Sequence, residues 1–415
     1  MSRLARRSPL LLAALLAFGA SAAERRVPRA KPAAGASALE SVSPAAVGLS
    51  AERLALLDRV VDDAIARKEL PGAVVLVGRH GKIAYEKAYG FRALEPEKEP
   101  MTKDTVFDLA SLTKTVATAT SVMTLVESGK LRITDAVVKH LPEFAAGGGL
   151  REKVTIEQLL THRSGLPPDD PMDLYTGAPA AIFGKSFRLP LATAPGEKFV
   201  YSDVGYEVLA EVVRAVSGEP LDRYAKERVF APLGMAETEF RPIGSGGALP
   251  VARIAPTERK DGRFLRGEVH DPHAYALGGV AGHAGLFSTA RDLARFCRMV
   301  LDGGPVLSPA ARAAMTRTRA YGDADLRALG WDVATAYSSS RGDLFPLGSF
   351  GHTGWTGTSF WLDPTTDTFV ILLSNRNHPD GSGNVIALRS KVATIAASAV
   401  ADVDAEKLRA ASLPV

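Results

Sequence analysis

A serine and a lysine three residues apart, Ser111 and Lys114, sit in the stretch Phe107 to Thr120, FDLASLTKTVATAT, where a short apolar lead-in meets a run of good helix formers. On a helix, positions i and i+3 share a face, so the Lys114 ammonium can reach the Ser111 hydroxyl. The pair would stand at the N-terminal end of that helix, the positive pole of its dipole. A serine hydroxyl is a weak nucleophile until a neighbouring base takes its proton, and a lysine beside cationic or dipolar groups can have its pKa lowered enough to assist. The chemistry on offer is nucleophilic catalysis through an activated serine. The same four residues, taken alone, also fit an ordinary solvated helix start. Two later triplets add groups of the right kind. Tyr201-Ser202-Asp203 puts a phenol and a carboxylate two residues apart in a tight loop, and His352-Thr353-Gly354 opens a strand in which a glycine allows close backbone approach by a ligand.

The elements that must position these residues follow from the apolar pattern. Ser50 is a good N-cap for a helix placing Leu54, Leu57, Val60, Val61 and Ile65 on one stripe. Pro71-Gly72 ends it, and two β-rich runs around Arg79-His80-Gly81 read as a hairpin. Residues 109–245 carry helix and loop signals with little strand character. The last third returns to strands: TGTSFWLDP and DTFVILLSN, joined by Asp363 to Asp367, form a hairpin at the centre of a sheet, and a closing helix runs from Asn384 to Leu408. This predicts an α+β fold, an antiparallel sheet flanked by N- and C-terminal helices with an inserted helical domain. The sheet domain is expected over 46–108 and 246–415, the helical domain over 109–245, and a cleft where they meet.

The chain has 415 residues and a formal charge of +4. Its first 22 residues show a basic start (Arg3, Arg6, Arg7), an apolar run from Leu10 to Phe18 and small residues at Ala20, Ser21 and Ala22, which together read as a secretory signal peptide. The Arg6-Arg7 pair is followed by Pro9 where a twin-arginine signal wants a bulky apolar residue, so the general export route is expected, with a secreted or periplasmic product. The apolar run is too short to leave a transmembrane segment in the mature chain. Without those three arginines the remainder is near neutral, and residues 23–45, rich in Ala, Pro, Arg and Ser, read as a flexible tether. No cluster of basic residues interleaved with aromatics follows, so no nucleic-acid partner is expected. The single cysteine, Cys297, lies at helical spacing as a core residue and excludes an internal disulfide.

Taken in order, S-x-x-K, the Y-x-N-like Tyr201 triplet and the K-T-G-like His352 triplet resemble the motifs of the penicillin-recognising serine hydrolases: class C β-lactamases, D-alanyl-D-alanine peptidases and related esterases. The resemblance extends over LLTHRSGL (159–166), PGEKFVYSDVGY (195–206), APLGM (231–235) and GHTGWTGTSFWLDP (351–364). GEVHDPHAYALGGVAGHAGLFST (267–289) looks like the signature of a subgroup that includes a periplasmic penicillin-binding protein and muramyl-peptide amidases. The resemblance implies that Ser111 is acylated, that Lys114 and Tyr201 share its proton, and that the backbone N–H groups of Ser111 and Trp355 form an oxyanion hole. It also implies that Asp203, His352, Thr353 and Gly354 bind substrate, and that no metal or cofactor is needed. Asp203 stands where many members have Asn, and His352 where β-lactamases have Lys. An unperturbed histidine titrates near about 6.5, so anchoring of a substrate carboxylate by His352 is expected to weaken with rising pH.

His270, Asp271, His273 and His283 are close enough in sequence to raise a metal site, but loop-forming contacts or a substrate-facing rim are the expected roles. Gly279, Gly282 and Gly285 lack the Lys-Ser/Thr of a phosphate loop, and no G-x-S-x-G elbow is present. His162 reads as a buried hydrogen-bonding residue. The expected activity is hydrolysis of an amide or ester through an acyl-serine, on a peptidoglycan fragment, a β-lactam or a small ester, by a monomer. The alternative is a penicillin-fold binding module with a decayed site, which retention of Ser111, Lys114 and Tyr201 together argues against.

Overall fold

The computed structural model describes residues 39–411. The expected signal peptide and most of the expected tether lie outside them. Residues 39–45 do not behave as a tether: Leu39 is buried, Ile83 N–H donates to Glu40 O, and Val42 N–H donates to Ile83 O, each at 2.9 Å. One apolar side chain and an exposed strand edge are enough to dock this segment.

The sheet is antiparallel and eight-stranded. Its strands are β1 (Gly72–Arg79), β2 (Lys82–Ala93), β3 (Glu99–Pro100), β4 (Leu326–Ala328), β5 (Trp331–Ala334), β6 (Phe350–Thr353), β7 (Ser359–Asp363) and β8 (Thr368–Ser374), in spatial order β3-β2-β1-β8-β7-β6-β5-β4. The hairpin β7–β8 is therefore central, with β8 paired to β1 from Ala73↔Ser374 to Arg79↔Thr368. Both faces are covered, which is why the central strands read as continuous apolar runs. Along β1, Val74 and Leu76 enter the larger core while Ala73, Val75 and Val77 enter the other; β8 splits in the same way, Phe369, Ile371 and Leu373 against Val370 and Leu372.

The smaller core lies under the terminal helices α1 (Ala51–Ala66) and a second helix, Ile386–Ser398. Ser50 caps α1 by accepting from Arg53 N–H at 3.2 Å, and the stripe settles as Leu54, Leu57, Val61 and Ala64, with Val60 and Ile65 only partly buried. The expected closing helix is interrupted. It stops at Ser398, Val400 bridges to Leu49, Ala401 N–H donates to Gly48 O, and Asp402 pairs with the buried Arg79 at 2.6 Å before a short helix, Ala405–Ala411. Tertiary bonds to the first residues of the fold override the helical pattern there.

The larger core joins the other face of the sheet to the helical block without a break, from Leu76 and Phe360 through Val116 and Leu209 to Phe230. The block includes α2 (Thr120–Glu127), α3 (Ile156–Leu160) and α4 (Asp203–Ser217), and α5 (Pro272–Ala276) and α6 (Ala290–Asp302) follow it; Cys297 is buried on α6. Leu57 is fully buried and its neighbour Leu56 is 51% exposed. Leu57→Ala should therefore cost about 2–5 kcal/mol in urea unfolding and Leu56→Ala less than about 0.5 kcal/mol; equal losses would contradict the assigned helix face.

Candidate active site

Ser111 stands on a strained turn between the short strand Phe107–Asp108 and a helix. Ala110 has φ +47°, a left-handed conformation that costs an alanine energy, and its N–H is held by Asp108 Oδ1 at 2.9 Å. The helix does not open as an ordinary α-helix. Lys114–Ala119 is π-helical and only then continues as α2, a local widening of the kind found at functional sites.

The Lys114 side chain is completely buried. Its Nζ lies 3.1 Å from Ser111 Oγ, 3.2 Å from the carbonyl oxygen of His283 and 2.5 Å from Asp203 Oδ1, with the rings of Tyr201 and Tyr206 at 5.0 and 5.7 Å. Burial disfavours its charge, but Asp203 and Tyr201 outweigh burial and hold the ammonium above the usual lysine range. The sequence-level idea of a lysine with a lowered pKa does not describe this resting state. Tyr201 is also held as a phenol: burial raises it most, Lys114 pulls the other way, Asp203 adds to the rise and a hydrogen bond with Ser111 opposes it.

Tyr201 is fixed through its neighbours. Val200 N–H donates to His162 O at 2.9 Å and Ser202 N–H to His162 Nδ1 at 3.0 Å, while the Tyr201 ring stacks 4.4 Å from the His162 ring. Ser202 then caps α4, accepting from Gly205 N–H, so Asp203 opens that helix facing Lys114. His162 is buried and hydrogen-bonded, and its Nδ1 accepts, which leaves the proton on Nε2.

His352 and Thr353 close β6 rather than open a strand, because the chain must turn at Gly354 to meet Ser111. A Cβ on Gly354 would lie 2.4 Å from Leu109 O and 3.3 Å from Ala110 Cβ, so only glycine lets the turn sit there. Thr356 Oγ1 donates to Asp108 O at 2.7 Å and Thr358 Oγ1 to Leu109 O at 2.9 Å. These two threonines latch the β6–β7 turn to the Ser111 turn. Both lie within GHTGWTGTSFWLDP, where spacing alone does not mark them as latches. Neither Ser111 nor Trp355 N–H donates to a backbone carbonyl among the described residues.

His352 is buried, and its Nδ1 donates to Thr353 O at 2.8 Å. Burial, then Arg327 and Lys114, push its pKa well below the usual histidine value. Burial and these two cations favour the neutral ring, which argues against the expected anchoring of a carboxylate by its charge. The cations at the cleft are arginines, none of which stands in a recognisable motif. Arg376 stacks 4.6 Å from the exposed Trp355 ring, and Arg389 donates to Gly354 O and Thr358 O. Arg327 reaches Asp332 at 3.2 Å and has no partner for Nε or Nη2. Together with Ser111, Tyr201 and His352 these side chains line a cavity of about 530 Å³.

The 267–289 segment supplies a second buried cluster. His283 Nε2 lies 2.9 Å from Asp271 Oδ1 and Nδ1 3.4 Å from Glu207 Oε1, and the Tyr175 hydroxyl donates to Glu207 at 2.8 Å. Donor atoms of Asp203, Asp271 and His283 fall within 4.8 Å of one another. Each carboxylate there is already matched to a cation, Asp203 to Lys114 and Asp271 to His283. His270 bonds Glu258 and Asn377, and His273 bonds Asp170 O; both are loop-forming contacts.

This fold and this cleft define a serine hydrolase of the β-lactamase and penicillin-binding-protein type. The family model described as Beta-lactamase matches residues 57–394, and the chain belongs to that family. An Escherichia coli K12 protein provisionally named a D-alanyl-D-alanine carboxypeptidase is 34% identical over 377 residues, 82% of this chain and 86% of its own length. Among solved structures, EstCE1, a hydrolase with promiscuous acyltransferase activity, superposes with a TM-score of 0.68 at 24% identity over 84% of this chain and 98% of its own. A class C beta-lactamase gives 0.67 at 20% identity over 85% and 98%.

Burial raises Glu207 to about 7, and Asp271, Asp203 and Glu207 outweigh burial to raise His283 to about 9. Both groups hold protons more tightly folded than unfolded, so each contributes stability at low pH that is lost as pH rises through its folded value. Stability from this cluster should fall between about pH 5 and 9. Glu207→Gln keeps the Tyr175 hydrogen bond and should flatten the part of the slope around pH 7, measured by thermal melts across pH; parallel curves for variant and wild type would refute this.

Proposed function

We propose that the protein is an exported hydrolase that opens an amide or ester bond through an acyl-Ser111 intermediate. The observation that carries this reading is Ser111 Oγ at 3.1 Å from a fully buried Lys114 Nζ, with Tyr201 packed against the same ammonium at the wall of the cleft. As Ser111 Oγ bonds the carbonyl carbon, its proton passes to the Lys114–Tyr201 unit and from there to the departing amine or alcohol. Water then attacks the acyl-enzyme with the same unit as base. The lysine is charged and the tyrosine protonated at rest, so the two titrate as one coupled system and the rate should rise with pH as that system loses a proton. The Ser111 and Trp355 amides serve as the oxyanion hole, each worth about 3–4 kcal/mol.

The substrate class favoured is a D-alanyl-terminated peptidoglycan peptide, supported by the 34% identical carboxypeptidase relative; β-lactams and small esters share the chemistry. Action on that polymer and the signal-like start of the chain both support a periplasmic location, and the chain is taken to act as a monomer. The paired Ser111, Lys114 and Tyr201 geometry speaks against a decayed binding module. Ser111→Ala should lower turnover by at least about a thousandfold and abolish labelling by a fluorescent penicillin or fluorophosphonate while the melt is unchanged; turnover near wild type would sink the acyl-enzyme reading.

Arg376, partly buried at the cleft beside Trp355 with Nε donating to Trp355 O and Nη1 to Gly383 O, is the proposed reader of a substrate carboxylate in place of His352. An arginine stays charged, so the ratio of KM for an anionic substrate to that for a neutral ester should be flat from pH 5.5 to 8.5. Arg376→Ala should raise KM for the anionic substrate alone by about ten- to a hundredfold, the equivalent of a charge-assisted hydrogen bond. A ratio that climbs through pH 6.5 would return the role to His352.

A further inference from the structure

A carboxylate beside the Lys114–Tyr201 unit poses an electrostatic problem. Asp203 draws the ammonium toward itself and makes a tyrosinate at Tyr201 harder to form, yet that phenol has to give up its proton before it can take one from Ser111. Asp203 does not face the unit alone. Behind it lies His283, completely buried, with ring nitrogens directed at two further acids, Asp271 and Glu207. The other charged or titratable groups around this ring are Lys114 on the π-helical stretch, His273 on α5, and Asp169, Asp170 and Tyr175 on the loop that closes over α4. Two cations, Lys114 and His283, stand against the carboxyls of Asp203, Asp271 and Glu207.

We propose that His283 is a positioning residue for acylation: its imidazolium offsets the Asp203 carboxylate and leaves Lys114 and Tyr201 free to exchange the Ser111 proton. This rests on the reading of Ser111, Lys114 and Tyr201 as the acylating unit. The backbone is built to bring the ring there. A Cβ on Gly282 would lie 1.8 Å from Tyr206 O, so only glycine lets the segment cross α4 at that point. Thr118 Oγ1 donates to Gly282 O at 2.6 Å, and the His283 carbonyl accepts from Lys114 itself. Asp271 caps α5 with the same Oδ1 that meets His283 Nε2, which fixes the acid that keeps the ring charged. Asp271 and the Gly282-His283 pair thereby act on the chemistry through Lys114 and Asp203.

The test is a double-mutant comparison on the full chain, with single-turnover acylation by a chromogenic ester as the readout. His283→Gln should slow acylation by about ten- to a hundredfold in the wild-type background and by less than about threefold when Asp203 is already Asn, because the charge to be offset is then gone. A merely structural role would cost the same in both backgrounds, and equal losses overturn the proposal. Asp271→Asn retains the cap but weakens the hold on the imidazolium, so its acylation rate relative to wild type should fall as pH rises and the ring loses its proton. An unshifted profile overturns the proposal, and this variant decides the matter if His283→Gln does not fold. Turnover by Ser111→Ala would instead defeat the reading on which the proposal rests, and the two failures are distinct.

Discussion

A fully buried ammonium is the constraint around which this molecule is assembled. Removing a lysine charge from water is costly unless partners replace the lost hydration. Lys114 draws them from four separate places: the Ser111 hydroxyl one turn back, the Asp203 carboxylate at the start of α4, the His283 carbonyl from a glycine-rich crossing, and the faces of Tyr201 and Tyr206. Because breaking a buried pair by removing one partner is severe, each of these elements is held in register by the same charge. The environment of Ser111 and the packing of the helical block on the sheet are one problem with one solution.

The sheet supplies rigidity to that solution. Its central strands bury both faces, and β6–β7 delivers the His352-Thr353-Gly354 turn against the Ser111 turn. The strain at Ala110 is maintained because Asp108 holds the Ala110 amide and is in turn held, through its carbonyl, by Thr356. A strained residue persists only where its surroundings over-determine it. Here they do so from two directions at once, the sheet and the short strand Phe107–Asp108.

Much of this was legible in the chain. Apolar spacing located α1 and the central hairpin, because burial against a sheet or helix imposes a period that a sequence displays directly. S-x-x-K placed Ser111 and Lys114 together because i and i+3 are neighbours on a tight helical turn, here closed by Lys114 N–H donating to Ser111 O ahead of the π-helical stretch. The last residues of the tether expected over 23–45 and the unbroken closing helix depart from expectation for a common reason. In both cases a few contacts between chain ends, Glu40 and Val42 with Ile83 and Asp402 with Arg79, decide the conformation, and such contacts leave no local pattern.

The sequence by itself determined the fold class and pointed to Ser111, Lys114 and Tyr201 as the proposed acylating groups, since these depend on periodicity and on residue type. Only the tertiary structure decided their protonation. Whether a lysine is charged, a phenol intact or a histidine neutral depends on burial and on which charges stand nearby, and those come from distant parts of the chain. His352 is neutral because Arg327 and Lys114 face it in a dry pocket, and Lys114 is charged because Asp203 reaches it. No spacing rule reports those distances, because Arg327 and Lys114 reach His352, and Asp203 reaches Lys114, only through the folding of separate elements.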